Sequence, residues 1–162
     1  MTRRIYSAND IAAFVLSRVD PQDNDVSNMK LQKLCYYMQG LATAMRGVPL
    51  FRDPLYAWDH GPVVPHLYQQ YRVNRALPIP AVRTFDDSIF EDADRQALND
   101  IYDYYGQFSA WRLRNMSHAD RPWIDAYNRD DKEISVDELV SYFKPQINEE
   151  YMKRVYGEEV SQ

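Results

Sequence analysis

Residues 27–49 read SNMKLQKLCYYMQGLATAMRGVP, and this stretch decides the fold class. Leu31, Leu34, Cys35, Met38, Leu41, Ala42 and Met45 recur at i, i+3, i+4, i+7, i+10, i+11 and i+14, the stripe of an amphipathic helix. Ser27 stands where a hydroxyl can accept from a free N–H of the first turn, and Gly47 with Pro49 ends the run. The other faces are not plain solvent faces. Lys30, Lys33 and Tyr37 share one flank, Gln32, Tyr36 and Gln39 the opposite one, and Gly40 lies between them. Either both flanks pack against neighbours with their polar tips satisfied inside, or one of them is a recognition face.

Helical periodicity continues outward on both sides. Ser7 to Asp10 has the form of a capping box ahead of Ile11, Phe14, Val15 and Val19. After Pro49 the chain is punctuated by Pro54, Gly61-Pro62 and Pro65, the last suited to the first turn of a helix through Leu67, Tyr68 and Tyr71. Ala76 to Thr84, carrying Pro78 and Pro80, reads as extended and is predicted to pair with Leu55 to Trp58 in a small hairpin-like sheet. Leu98, Ile101, Tyr102 and Tyr105 predict a helix stopping at Gly106, and Ser109 opens a shorter one with Trp111, Leu113 and Met116. A short turn or helix starts at Pro122-Trp123. Ser135 with Glu138 is a capping box before Leu139, Val140 and Phe143; Pro145 breaks that helix, and Ile147 to Tyr156 forms the last. The prediction is a mainly α fold, one compact helical domain over residues 1–162, with at most a two- or three-stranded β element.

The composition narrows the class. With 162 residues and 45% hydrophobic content the chain can bury a core of its own, and 27% charged residues fit a globular protein better than a polyelectrolyte. Mean hydropathy is nevertheless −0.61, and much of the mismatch with the hydrophobic count comes from 13 tyrosines, against 6 phenylalanines, which count as hydrophobic in one tally and mildly polar in the other. Tyrosine has an apolar body and a polar tip, so the surplus points to half-buried faces or a binding surface. A single cysteine, Cys35, leaves no disulfide framework and fits a reducing compartment. The apolar run Ile11 to Leu16 is too short for a secretory signal or a membrane span, so a cytoplasmic location without membrane contact is expected. Residues 1–83 carry 10 basic and 6 acidic side chains, and residues 84–162 carry 9 and 18, for a net charge of −5. Phosphate backbones call for clustered cations, so nucleic acid is a poor partner on charge grounds.

The inventory for catalysis is thin. Cys35 lies at the centre of an apolar stripe, where a buried small hydrophobe explains it better than a nucleophile. His60 and His66 are six apart across two prolines, which is no helical ligand pair, so no metal and no cofactor is expected. No glycine cluster can cradle a phosphate, and paired acids such as Asp86-Asp87 sit in polar runs. No enzyme is predicted.

Three segments together carry a family likeness. Lys30 to Gly40 resembles a K-L-Q-K-L-x-Y-Y-x-Q-G helix; Pro49-Leu50-Phe51 followed by Ala57-Trp58-Asp59-His60-Gly61-Pro62-Val63-Val64-Pro65 resembles P-L-F and A-W-x-x-G-P-V-V-P; Ser117-His118 with Pro122-Trp123 resembles T/S-H-x-x-x-P-W. These motifs resemble the Panacea domain of SocA-like antitoxins and phage-associated proteins, from about Asp10 to Phe143. Cys35 and Met38 replace the more usual Leu and Ala. The resemblance implies a cytoplasmic, helical antitoxin that binds a cognate protein toxin and needs neither catalytic residues nor cofactor. It also leaves an adaptor that hands the toxin to a cytoplasmic protease, and homo-oligomers stay open.

On that basis Lys30, Lys33, Tyr36, Tyr37, Trp58, His60 and Tyr68 are the candidate toxin-binding residues. Gln32, Gln39, Gly40, Gly61, Pro62, Val63, His118, Pro122 and Trp123 are the motif positions expected to hold the fold. The rivals are the proteolytic adaptor, a DNA-binding regulator supported only by the basic N-terminal half, and a cysteine hydrolase using Cys35. His118 is expected to bond a carbonyl or carboxylate that fixes the turn before Pro122-Trp123.

Overall fold

A computed structural model describes residues 3–160, with side chains described for residues 3–157. Eight α-helices and a three-stranded antiparallel sheet are present among them, which is the mainly α architecture expected. Helix α1 (Ala8–Arg18) begins with the Ser7–Asp10 capping box, both reciprocal bonds being formed. Helix α2 (Asn28–Arg46) starts where the Ser27 hydroxyl accepts from the Lys30 N–H, and ends at Gly47, whose φ of 81° is the left-handed conformation that glycine takes without cost.

Helix α2 is the axis of the fold. Of its 19 residues 17 are buried, polar flanks included, because α1, later helices of the chain and the sheet pack around it. A helix this polar can be buried only if its polar atoms find partners. The Gln39 amide donates to Phe51 O at 2.7 Å and its carbonyl accepts from the N–H groups of Leu50 and Phe51. The Gln32 carbonyl accepts from Val64 N–H at 2.9 Å, and its amide donates to Asn28. These two glutamines tie the P-L-F segment and the Val63-Val64 segment to α2.

Strand β1 (Leu55–Trp58) turns directly into β2 (Gly61–Val63), pairing Tyr56 with Val63 and Trp58 with Gly61. Helix α3 (Pro65–Tyr71) follows with its proline in the first turn. The stretch 76–84 does not pair with β1, contrary to the prediction. Prolines 78 and 80 supply no N–H to a ladder, and the segment instead lies along α1 and the loop before α2, Ile79 N–H donating to Val26 O and Val82 N–H to Leu16 O. The second neighbour of β1 comes from far along the chain, as β3 (Glu133–Ile134), giving the order β2-β1-β3.

Helix α4 (Asp92–Tyr105) ends at Gly106, which here has ordinary helical φ; a Cβ on it would meet Tyr102 O at 2.5 Å. Helix α5 (Ala110–His118) is capped by Ser109, α6 (Arg121–Tyr127) carries Pro122 in its first turn, and α7 (Val136–Phe143) opens with the Ser135–Glu138 box. Helix α8 (Glu149–Val160) begins two residues later than predicted, because Asn148 takes the capping role and accepts from Tyr151 N–H. Gly40 is where α7 crosses α2 most closely: a Cβ there would fall 2.3 Å from the Phe143 ring.

Candidate functional site

Five of the thirteen tyrosines gather on two buried carboxylates. Asp120, at the start of α6, accepts from the hydroxyls of Tyr36 at 3.1 Å and Tyr37 at 3.0 Å on one oxygen, and from Tyr142 at 2.7 Å on the other. Asp94, on α4, accepts from Tyr6 at 2.7 Å and Tyr156 at 2.8 Å, and pairs with the buried Arg46 guanidinium at 3.0 Å. Burial raises the Asp120 pKa, with the three hydroxyl bonds acting against it, and burial together with Asp120 pushes the pKa of Tyr36 and Tyr37 far up. Tyr37 also stacks on Tyr105 with ring centroids 4.2 Å apart. The hydroxyls therefore serve the core.

This splits the candidate binding residues. Lys30, Lys33, Tyr36 and Tyr37 are all buried; Lys30, Tyr36 and Tyr37 face the interior, and Lys33 alone of the four borders the cleft described below. Lys30 is neutralised by Asp25 at 2.8 Å and donates to Gly106 O, which ties α2 to the end of α4. Trp58 and Tyr68 are half-buried and meet edge to face at 5.1 Å, and His60 is exposed at the β1–β2 turn.

The Ser117 to Trp123 segment supports that turn from behind. The Trp123 indole N–H donates to Trp58 O at 2.9 Å, and the neighbouring Tyr127 hydroxyl donates to Asp59 at 2.6 Å. His118 stacks on Trp123 at 4.0 Å. Burial lowers the His118 pKa, opposed by a hydrogen bond to the Asp59 backbone, while its Nε2 has no partner.

Trp58, His60 and Tyr68 are brought together on one wall of a cleft of about 520 Å³. Trp111 of α5, 62% exposed, stands in the same cleft, with Arg72 and Arg75 also lining it beyond α3. Lys33 reaches it from the buried side. Sequence reasoning passed over Trp111, Arg72 and Arg75. The signal for Trp111 was present: it lies about 200° around the helix from Leu113, at 100° per residue, so it cannot share the buried face. The arginines stand in a short 3-10 turn (Arg72–Asn74) and its cap, where periodicity carries no information.

Burial, helped by the charge of Asp53, pushes the Cys35 thiol up to about 12, so it is protonated at neutral pH. Among the described residues no group of three or more His, Cys, Asp or Glu side chains could hold a metal, and no helix is long and apolar enough to cross a membrane.

Residues 31–124, from α2 through most of α6, match the family described as Antitoxin SocA-like, Panacea domain. The chain belongs to the SocA-like Panacea family. It is 32% identical over 132 residues to Antitoxin SocA of Caulobacter vibrioides (strain NA1000 / CB15N), covering 72% of this chain and 68% of that protein. No solved structure matches. The family match contains Asp120, the β1–β2 turn, Trp111 and every other residue named above for the cleft.

Proposed function

We propose that this Panacea chain is an antitoxin that neutralises a cognate protein toxin by binding it, with the toxin seated over the Trp58–Trp111 cleft. One observation carries the choice of site. Trp111 exposes most of its ring beside a half-buried Trp58 and Tyr68, and a large exposed aromatic beside a concavity is the usual form of an interface anchor. A stable complex centred there would cover roughly 800 Å² per partner. Neutralisation of this kind asks for contact area and no reaction on the antitoxin. Membership of the family supports the antitoxin role, and the name of the Caulobacter relative, Antitoxin SocA, agrees with it.

Co-expression tests this proposal. A growth-arresting protein from the adjoining gene should be rescued by the wild-type chain and not by Trp111→Ala, whose circular dichroism should match wild type because the ring is exposed. Rescue with full strength by Trp111→Ala places the toxin elsewhere. Toxin half-life separates the two modes of rescue: it stays unchanged for direct neutralisation and shortens if the chain is a proteolytic adaptor.

A further inference from the structure

The cleft has an electrostatic character that its aromatic walls do not require. No Asp or Glu lines it, while Lys33, His60, Arg72 and Arg75 all do. The carboxylates nearest in sequence are already engaged, Asp25 with Lys30 and Asp59 with Tyr127. Among the described residues the side chains of Arg72 and Arg75 form no hydrogen bond or ion pair, and both residues are exposed.

Lys33 is the unusual member. Its side chain is 1% exposed, and the ammonium makes a single long contact, 3.5 Å to Pro62 O, with no carboxylate in reach. Lys30, one turn earlier on the same helix and equally buried, has an aspartate and a carbonyl at ordinary distances. An ammonium with three donors and one poor acceptor is costly to bury, and burial with the charge of Arg114 lowers its pKa to about 7. Nor is it alone. Arg114, whose guanidinium lies 4.6 Å from the Trp111 ring, has a buried Nε without an acceptor. The charges of Lys33 and Arg114 both bear on His118. Among the described residues one further buried donor, Arg46 Nε beside Asp94, lacks an acceptor outside the cleft; Lys33 in the cleft wall and Arg114 against Trp111 are the two that fall beside it.

We infer that the toxin segment seated in this cleft is acidic, one carboxylate reaching the Lys33 ammonium and others meeting Arg72 and Arg75. This rests on the docking proposed above and adds the chemistry of the partner. A protein segment fits better than a nucleic acid: the cations are gathered in one concavity rather than along a stripe, and the second half of the chain carries 18 acidic against 9 basic side chains, which repels a long polyanion. Aromatic walls beside a buried cation suit a carboxylate flanked by apolar side chains.

The test measures the complex between the full chain and the product of the adjoining gene. Four forms are compared: wild type, Trp111→Ala, the double reversal Arg72→Glu/Arg75→Glu, and Lys33→Met, which keeps the length of the side chain and removes its charge. The double reversal and Lys33→Met should each weaken binding by about tenfold or more. Raising NaCl from 50 to 500 mM should weaken the wild-type complex and hardly change the double reversal. Lys33→Met should at the same time unfold at a higher temperature than wild type, since it removes an unpaired buried charge; a merely structural lysine would lose both together. If Trp111→Ala loses the complex while both charge variants bind like wild type, the acidic partner is refuted and the docking site stands. If wild type forms no complex, or Trp111→Ala binds as tightly as wild type, the docking proposal fails and this inference with it. Single-stranded RNA that binds wild type and is lost in the double reversal would also overturn it, by naming a different polyanion.

Discussion

Gly61 and Lys33 compete for one space: a Cβ built on Gly61 would lie 2.4 Å from Lys33 Cε and 3.1 Å from its Nζ. The glycine has a φ of 117°, a conformation that other residues rarely adopt, so the tight β1–β2 turn needs it twice over. The turn and the buried lysine are one device. Where the turn passes, the lysine ammonium is enclosed, and the Pro62 carbonyl that follows the glycine is the acceptor it is left with.

Gly61→Ala should therefore destabilise the fold by about 2–4 kcal/mol, summing backbone strain and overpacking. Part of that cost is contact with Lys33. In a double-mutant cycle measured by urea unfolding, Gly61→Ala combined with Lys33→Ala should cost less than the sum of the singles. Strict additivity would mean the lysine chain moves aside freely.

Asp120 should be the most sensitive polar position of the core. Asp120→Ala leaves three hydroxyls, those of Tyr36, Tyr37 and Tyr142, without their acceptor, and a buried unsatisfied group costs about 1–3 kcal/mol. The total expected is about 3 kcal/mol or more, whereas Tyr142→Phe, which removes a single bond at the edge of the cluster, should cost about 1 kcal/mol. Equal effects of the two substitutions in denaturant unfolding would show that the cluster does not act as a unit.

Lys33 sets a pH dependence whose sign is opposite to that of an ordinary ion pair. Its folded pKa of about 7 lies below the value of about 10.4 for an unfolded lysine. Between those values the unfolded chain holds the proton and the folded chain does not, so stability rises with pH, by up to about 1.4 kcal/mol per unit. His118, with its lowered pKa, titrates below this window. The Cys35 thiol and the buried tyrosines, whose pKa values rise on folding, ionise first in the unfolded chain and oppose the rise toward the upper end of the window. Thermal unfolding between pH 7 and 8, below the ionisation of unfolded tyrosine, should show this rise in wild type and a smaller one in Lys33→Met. Identical pH slopes for the two would mean that Lys33 keeps its proton throughout.

The helices were legible because their signals are local. Ser7, Ser27, Ser109 and Ser135 cap helices in the structure as their sequence context predicts. The sheet was half legible, since the partners of Leu55 to Trp58 depend on a glycine turn and on a two-residue strand more than seventy residues away. The candidate site was the least legible part. On one helix the sequence shows which flank Lys33, Tyr36 and Tyr37 occupy, but it does not show that Asp120 and Tyr142 close over them. Motif identity marked these residues as belonging together; only the packing shows that they are joined in the interior, with Trp58, His60, Tyr68 and Trp111 left at the cleft.

The central claim is that the partner sits on the Trp58–Trp111 cleft, and the affinity of Trp111→Ala for the toxin from the adjoining gene tests it most directly. Loss of an exposed aromatic anchor should weaken binding by about 2 kcal/mol, some thirtyfold, with the unfolding midpoint unchanged. A wild-type affinity in that variant would contradict the account.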